Sequence, residues 1–299
     1  MTDNLLQCGN ILSLAAVDLC LALACGLLVT DAWLTGKDAT PDAQAAARIP
    51  GLIWPASLLL ALLATRFYLI TSTMTGHAEV AAVWAAASGV AATHAGAATV
   101  WALGAACGLS GASFLPRSRA RVRLQTALLL TLLVLHSGMG HAAGGGDFTR
   151  DEMWQFVHLA AMSLWAGAVM TAGFFAAPRM LAAASCIDIH YLRNLSQVSL
   201  WSLAAVALSG AMRAWAGLDA RIANLLQGGW GRILLAKLCI VCVVLLLGFM
   251  HRRAIHAHGK AWTLPQYMQF GRTLRIEAVC FVVVLFLSAW LASTELPGS

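Results

Sequence analysis

Apolar runs of about 20 residues recur along the whole chain, which is the length that an α-helix needs to cross a bilayer. Of the 299 residues, 60% are hydrophobic and only 11% are charged, and the mean hydropathy is +0.76. A soluble domain carries about 25% charged residues. The sequence therefore predicts an all-α, polytopic membrane protein.

Polar, charged and Gly- or Pro-bearing stretches divide the apolar runs into a predicted bundle of eight transmembrane helices. They are predicted over residues 11–30, 51–72, 79–103, 122–141, 152–176, 196–216, 230–250 and 274–293. The fifth begins at a capping-box signal, Thr149 followed by Glu152. The first run follows no basic stretch, so we expect a retained helix rather than a signal peptide. No loop is long enough for a second domain, so residues 1–299 form a single predicted transmembrane domain.

Lysine and arginine in the connections set the predicted orientation, because cytoplasmic loops carry the excess of both. One set of connections holds Lys37, Arg48, Arg117, Arg119, Arg121, Arg123, Arg179, Arg193, Arg252, Arg253, Lys260, Arg272 and Arg275. The opposite side holds Arg150, Arg213, Arg221 and Arg232. This asymmetry predicts that both termini lie outside, which in a Gram-negative cell means the periplasm. It also accounts for most of the net charge of +6, which gives no indication of a nucleic-acid partner.

Two similar turns fall at the predicted periplasmic ends of the second and fourth helices. The first has Met74 and His77 on either side of Gly76, with Glu79 two residues beyond the histidine. The second has Met139 and His141 on either side of Gly140. Thioether sulfur suits Cu(I), and imidazole suits copper or zinc. The mixture favours copper as the ligand, and the alternative is two ordinary glycine turns with incidental neighbours.

Two further histidines fall inside predicted helices at similar depths. His158 lies about 12 Å below the outer surface, counted from Arg150, and His136 lies about 20 Å above the inner surface. In a hydrocarbon core about 30 Å thick these levels nearly coincide. Because ionisable groups within a membrane usually face a partner or a cavity, the two imidazoles are candidate ligands. The alternative is a buried histidine bonded to a serine or a carbonyl.

A third intramembrane histidine, His94, is predicted about 25 Å along the third helix from His77, near or below the midplane. It is a candidate second station on an inward copper path. It is equally consistent with a packing histidine beside Gly89 and Gly96.

Four charged residues also fall within predicted helices. Asp18 and Arg66 lie at one level and are predicted to form a structural ion pair. Lys237 lies nearer the outer end and Glu277 near the inner end, so they are not expected to pair. A proton-coupling role for either is an open hypothesis. We predict arginine neighbours for Glu277 and a solvated basic loop around His251.

The motifs of other function classes are absent from the sequence. There is no P-loop, no HExxH and no GxSxG, which disfavours nucleotide-driven pumps, metalloproteases and α/β-hydrolases. The pair Cys239 and Cys242 lies in mid-helix, where packing is the favoured interpretation. We do not expect an enzyme.

Several motifs together resemble the copper resistance protein D (CopD) family, most strongly over residues 130–299. They are GHA at 140–142, HLAAMSLWAG at 158–167, GWGRILLAK at 229–237, GRTLRIE at 271–277 and STELP at 293–297. Two positions depart from the family pattern, because Ala168 replaces a glycine and His251 stands where asparagine is common. The resemblance implies an inner-membrane protein that moves copper from periplasm to cytoplasm, often beside a separate periplasmic CopC-like copper-binding protein.

We therefore predict copper transport within the lipid bilayer. Capture would involve Met74, His77, Met139 and His141, with transfer to His136 and His158 and then to His94. One alternative is a redox protein in which paired histidines ligate a b-type haem. The other is a scaffold that docks a copper chaperone and transports nothing.

Overall fold

The structure is a computed structural model that describes residues 2–35, 51–76, 79–139, 149–182, 189–217, 228–258 and 262–294. Two of the predicted copper ligands, His77 and His141, lie outside the described residues.

Every regular element within the described ranges is helical. The elements are α1 (Thr2–Leu34), α2 (Ile53–Thr75), α3 (Val80–Ala91), α4 (His94–Ala112), α5 (Arg119–Ser137), α6 (Arg150–Thr171), α7 (Ala177–Ala182), α8 (Ile189–Gly217), α9 (Gly228–His258) and α10 (Leu264–Ala292). A π-helical turn, Ala172–Ala176, joins α6 to α7. The predicted all-α class is confirmed for the described residues.

Seven helices in the described part of the chain are long and apolar enough to cross a membrane, which supports a multi-pass membrane protein. These candidate spans are Leu6–Leu34, Ile53–Thr75, His94–Ala112, Arg150–Leu181, Ile189–Trp215, Gly229–Ala257 and Leu264–Ala292. Helix α5 is not among them, because Arg119, Arg121 and Arg123 at its start lower its hydropathy. The count of eight stays a prediction, with α5 as the additional span.

Helices α1 and α2 run antiparallel. Asn10 donates to Thr73 at 3.5 Å near one end of the α1–α2 pair, and Leu28 and Leu52 line one small cavity near the other end. We call the end at which α1 begins the outer end and the opposite end the inner end. These names follow the predicted orientation, which itself stays a prediction.

The third predicted span is interrupted, which corrects the continuous helix expected over 79–103. Helix α3 ends at Ala91, and the side chain of Thr93 then caps α4 by accepting from the backbone N–H of Gly96 at 3.2 Å. A Cβ on Gly96 would overlap the carbonyl oxygen of Val90. The close turn between the helices therefore requires glycine at this position.

The last helix begins ten residues before its predicted start, at Leu264 rather than at residue 274. The backbone N–H of Thr263 donates to the side chain of Gln266 at 3.0 Å, and Pro265 occupies the first turn, where its missing N–H costs nothing. Glu277 therefore lies about three and a half turns inside α10, not one turn.

The core lies where α1, α6 and α10 meet. A Cβ on Gly26 would overlap the carbonyl oxygen of Gly167, so the backbones of α1 and α6 are in contact. On the other side of α6, the Trp165 ring packs edge-on against Phe281 of α10, with centroids 4.9 Å apart. The polar groups described next join these three helices to α2, α5, α8 and α9, which surround the core.

Candidate functional site

A buried hydrogen bond joins the first and fifth helices in the outer half of the bundle. His136 Nε2 on α5 lies 2.7 Å from Asp18 Oδ1 on α1. The two side chains are only 8% and 11% exposed. Because a carboxylate oxygen accepts, the ring donates its Nε2–H to Asp18.

This bond determines what the rest of the His136 ring can do. The second ring nitrogen, Nδ1, is buried and has no hydrogen-bond partner among the described residues. In the neutral imidazole that nitrogen carries a lone pair. Histidines that bind metals usually donate their other N–H to a carboxylate, which orients the ring and raises its basicity. Asp18 and His136 have this arrangement.

The predicted ion pair between Asp18 and Arg66 is corrected by the same geometry. Among the described residues the direct partner of Asp18 is His136. Arg66 is close enough for its charge to interact with Asp18, but its Nη1 donates to Ser13 Oγ at 3.5 Å and its Nε is buried without a partner. The predicted depths correctly bring Asp18 and Arg66 near each other. The rotation of each helix about its axis, however, turns Asp18 towards His136.

His158 on α6 is fixed in a similar way by α8. Its Nδ1 lies 3.2 Å from Ser209 Oγ, and the Ser209 hydroxyl donates to the carbonyl of Ala205 at 2.6 Å. The serine oxygen is thus left to accept from Nδ1–H, which leaves the lone pair on Nε2. The ring also forms a hydrogen bond with the backbone of Val206, one turn before Ser209 on the same helix. Gly210 makes room for the ring, because a Cβ there would lie 3.1 Å from Cε1 of His158.

Cationic side chains surround the two histidines. The charge of Lys237 on α9 is close enough to interact with both Asp18 and His158, and Arg213 on α8 interacts with His158 as well. The outer polar cluster, as we call it, consists of Asp18, Arg66, His136, His158, Ser209, Arg213 and Lys237. When Lys237 is protonated, it and Arg66 place two positive charges near the Asp18 carboxylate, and Arg213, an exposed side chain, adds a third near His158. This excess opposes a divalent cation more strongly than a monovalent one.

Of the predicted outer capture residues, the structure describes Met74, Glu79 and Met139, and only the first two are exposed. Met74 is 55% exposed at the end of α2, and Glu79 is exposed just before α3. Met139 is partly buried, and its sulfur accepts from the Thr99 hydroxyl at 3.8 Å. The described residues contain no group of three or more His, Cys, Asp or Glu side chains placed to hold a metal ion. The predicted capture by these methionines stays a prediction.

His94 lies elsewhere than predicted. It is the first residue of α4 and is exposed. Since α4 has 19 residues and ends at the inner end, its start lies about 28 Å away, near the outer end. The depth expected for His94 was counted along a continuous helix, which the break at residues 92 and 93 interrupts. Its role as a station on a copper path stays a prediction.

A second polar contact joins α9 and α10 in the inner half. His251 Nδ1 lies 2.7 Å from Glu277 Oε2, and its Nε2 lies 2.8 Å from Thr273 Oγ1. Both His251 and Glu277 are buried. The solvated loop predicted at His251 is corrected, as are the arginine neighbours predicted for Glu277.

Sequence reasoning missed Ser209, Thr273 and the role of His251. A signal for His251 exists, because no Gly or Pro occurs between residues 249 and 258. The apolar α9 pattern continues through His251 to Ile255. Nothing in the sequence singles out Ser209, since serine is common in membrane helices and its partner lies on another helix.

Residues 189–291 match the family described as copper resistance protein D. The match covers α8, α9 and nearly all of α10, and it includes Ser209, Arg213, Lys237, His251 and Glu277. The resemblance to this family is therefore confirmed over these residues. The motifs at 140–142, 158–167 and 293–297 lie outside the match. No curated protein and no solved structure matches the chain.

Proposed function

On the premise of its copper resistance protein D resemblance, we propose that this chain is a multi-pass protein of the bacterial inner membrane that moves copper from the periplasm to the cytoplasm. One observation carries the proposal. His136 has one ring nitrogen fixed by Asp18 and the other buried without a partner among the described residues, and His158 is held within the bundle by Ser209.

Two ring nitrogens, Nδ1 of His136 and Nε2 of His158, are the proposed ligands within the membrane. Asp18 and Ser209 hold the rings in the tautomers that leave these lone pairs available. Imidazole binds copper well in either oxidation state. The outer capture set proposed from the sequence, Met74, Met139, His77 and His141, would deliver the ion to this pair.

The charges of the outer polar cluster favour Cu(I) over Cu(II) as the cargo. Lys237, Arg66 and Arg213 repel a divalent ion twice as strongly as a monovalent one. The same repulsion weakens binding, and a transport site must release its ion as well as accept it. No catalytic step is needed, so we propose a carrier rather than an enzyme.

Copper flux and copper binding test this proposal together. His136→Gln and His158→Gln should each lower copper accumulation by cells and copper binding by the purified protein. His256→Gln, which changes an exposed histidine near the inner end of α9, is the matched control and should change neither. Unchanged accumulation in both bundle variants, with normal protein levels, would refute the proposed route.

The haem alternative fits the geometry less well. The free nitrogen of His136 is Nδ1, which lies next to the carbon that bears the side chain, so a planar macrocycle bound there would meet the residue's own backbone. A Soret band in the purified protein that His158→Gln abolishes would nevertheless establish haem. Metal-dependent binding of a CopC-like protein without copper flux would instead establish the docking scaffold.

A further inference from the structure

The contact between His251, Glu277 and Thr273 lies outside the copper route. It joins α9 to α10, and its three side chains are bonded in a row through both ring nitrogens of His251. Glu277 is 2% exposed and His251 is 8% exposed. Two titratable groups are therefore held together away from water.

The tautomer of His251 follows from the carbonyls to which the Thr273 hydroxyl proton is assigned. Thr273 Oγ1 lies 3.0 Å from the carbonyl oxygen of Phe270 and 3.2 Å from that of Gln269, so its hydroxyl donates within its own helix. With the hydroxyl proton assigned to these carbonyls, the oxygen accepts from the ring, and we assign a proton to Nε2. This step leaves Nδ1 facing Glu277.

A hydrogen bond of 2.7 Å between Nδ1 and a carboxylate oxygen needs one proton between the two atoms. That proton belongs either to an imidazolium beside a carboxylate or to a carboxylic acid beside a neutral imidazole. The pair is electrically neutral in both cases. Without the proton, two lone pairs would face each other in a buried site that carries a negative charge.

The surrounding charged groups offer Glu277 no other direct partner among the described residues. Four of these groups have other partners: Arg252 donates to Ser196 Oγ, Asp31 pairs with Arg117, Arg179 lies over the Phe175 ring, and the Tyr267 hydroxyl donates to the Ala177 carbonyl. The remaining charged or titratable side chains at this end are exposed, namely Arg193, Arg253, His256, Arg272 and Arg275. The Cys280 thiol on α10 is close enough to interact electrostatically with Glu277. The proton is thus what makes the direct contact between His251 and Glu277 attractive.

We propose that His251 and Glu277 form a binding site for one proton, and that this proton holds α9 against α10 in the inner half of the bundle. The bound proton stabilises the closed contact. Its loss as pH rises leaves a repulsive pair, which opens the inner ends of the two helices. This site gives the protein a response to cytoplasmic pH in the predicted orientation.

Hydrogen exchange of the full-length protein in lipid nanodiscs tests the proposal. After correction for the intrinsic effect of pH on exchange chemistry, protection of α9 around residue 251 should fall about tenfold as pH rises. Glu277→Gln should keep its protection at every pH, because the amide N–H donates to Nδ1 without a titratable proton. His256→Gln, an exposed change on the same helix, should behave like the wild type.

An identical pH response in the wild type and in Glu277→Gln would overturn the proposal. If that variant does not fold, infrared titration of the wild type decides. A single proton should change the carboxyl and imidazole bands together. Bands that titrate separately, or a carboxyl band that never changes with pH, would exclude a shared proton.

Discussion

Gly26 and Gly167 bring the backbones of α1 and α6 into direct contact. A side chain on either residue would overlap main-chain atoms of the other helix, namely the carbonyl of Gly167 or that of Ala22. Small residues at helix crossings are the usual means of close approach in membranes, where packing rather than water drives association. This crossing fixes α1 relative to α6, and hence Asp18 relative to His158.

Gly167→Ala should destabilise the fold by about 2 kcal/mol, because the backbones must separate to admit the methyl group. Thermal unfolding of the protein in detergent measures the change. Gly104→Ala is the control, since a Cβ at that helical position meets nothing within 4 Å. Equal melting temperatures for the two variants would mean that the crossing tolerates a side chain.

Asp18→Asn should weaken copper binding about 10- to 100-fold, the usual effect of losing a carboxylate behind a histidine ligand. The amide removes the charge that orients His136 and can donate to Nε2, which moves the ring proton to the ligand nitrogen. Competition titration with a copper chelator gives the affinity. Asp31→Asn, at the α1 carboxylate that pairs with Arg117 near the inner end, should leave the affinity unchanged.

Ser209→Ala should weaken copper binding about fivefold, because His158 loses the acceptor for its Nδ1–H. The hydrogen bond that orients the ring contributes about 1 kcal/mol. The same titration measures the loss. Ser202→Ala changes another buried serine of α8 that lies two turns away and should have no effect. If both variants bind as the wild type does, Ser209 does not position the ring.

Lys237→Met should strengthen copper binding. Removing a positive charge several ångströms from the ion is worth on the order of 1 kcal/mol at the dielectric typical of proteins, or about fivefold in affinity. Arg232→Met, an exposed change on the same helix, is the control. Weaker binding in Lys237→Met would instead identify the lysine as a group that supports the site.

The helical class and most of the bundle could be predicted from the sequence, because a span of the bilayer leaves a long apolar run. The start of α6 is confirmed in detail, since the side chain of Thr149 accepts from the backbone N–H of Glu152 at 3.3 Å. The starts of α4 and α10 were wrong. Residues 264–273, which resembled a loop, form the first turns of α10, whereas the start of α4 was missed because residues 79–103 were predicted as one continuous helix.

Partners between helices were the part that the sequence could not predict. Depth along a helix follows from counting residues, and it correctly placed Asp18 near Arg66 and separated Lys237 from Glu277. The partner, however, depends on how each helix is rotated about its axis, and that rotation is set by packing such as the crossing at Gly26. For this reason the bond between Asp18 and His136 emerged only from the structure.

The most direct test of the central claim is X-ray absorption at the copper edge of the purified, Cu(I)-loaded protein, with His136→Gln and His158→Gln alongside. We expect tightly bound copper with imidazole scattering from two histidines in the wild type, and loss of about half of that scattering in each variant. A copper site with only sulfur ligands, or with imidazole scattering that neither substitution alters, would contradict the assignment of His136 and His158 as the ligands within the membrane.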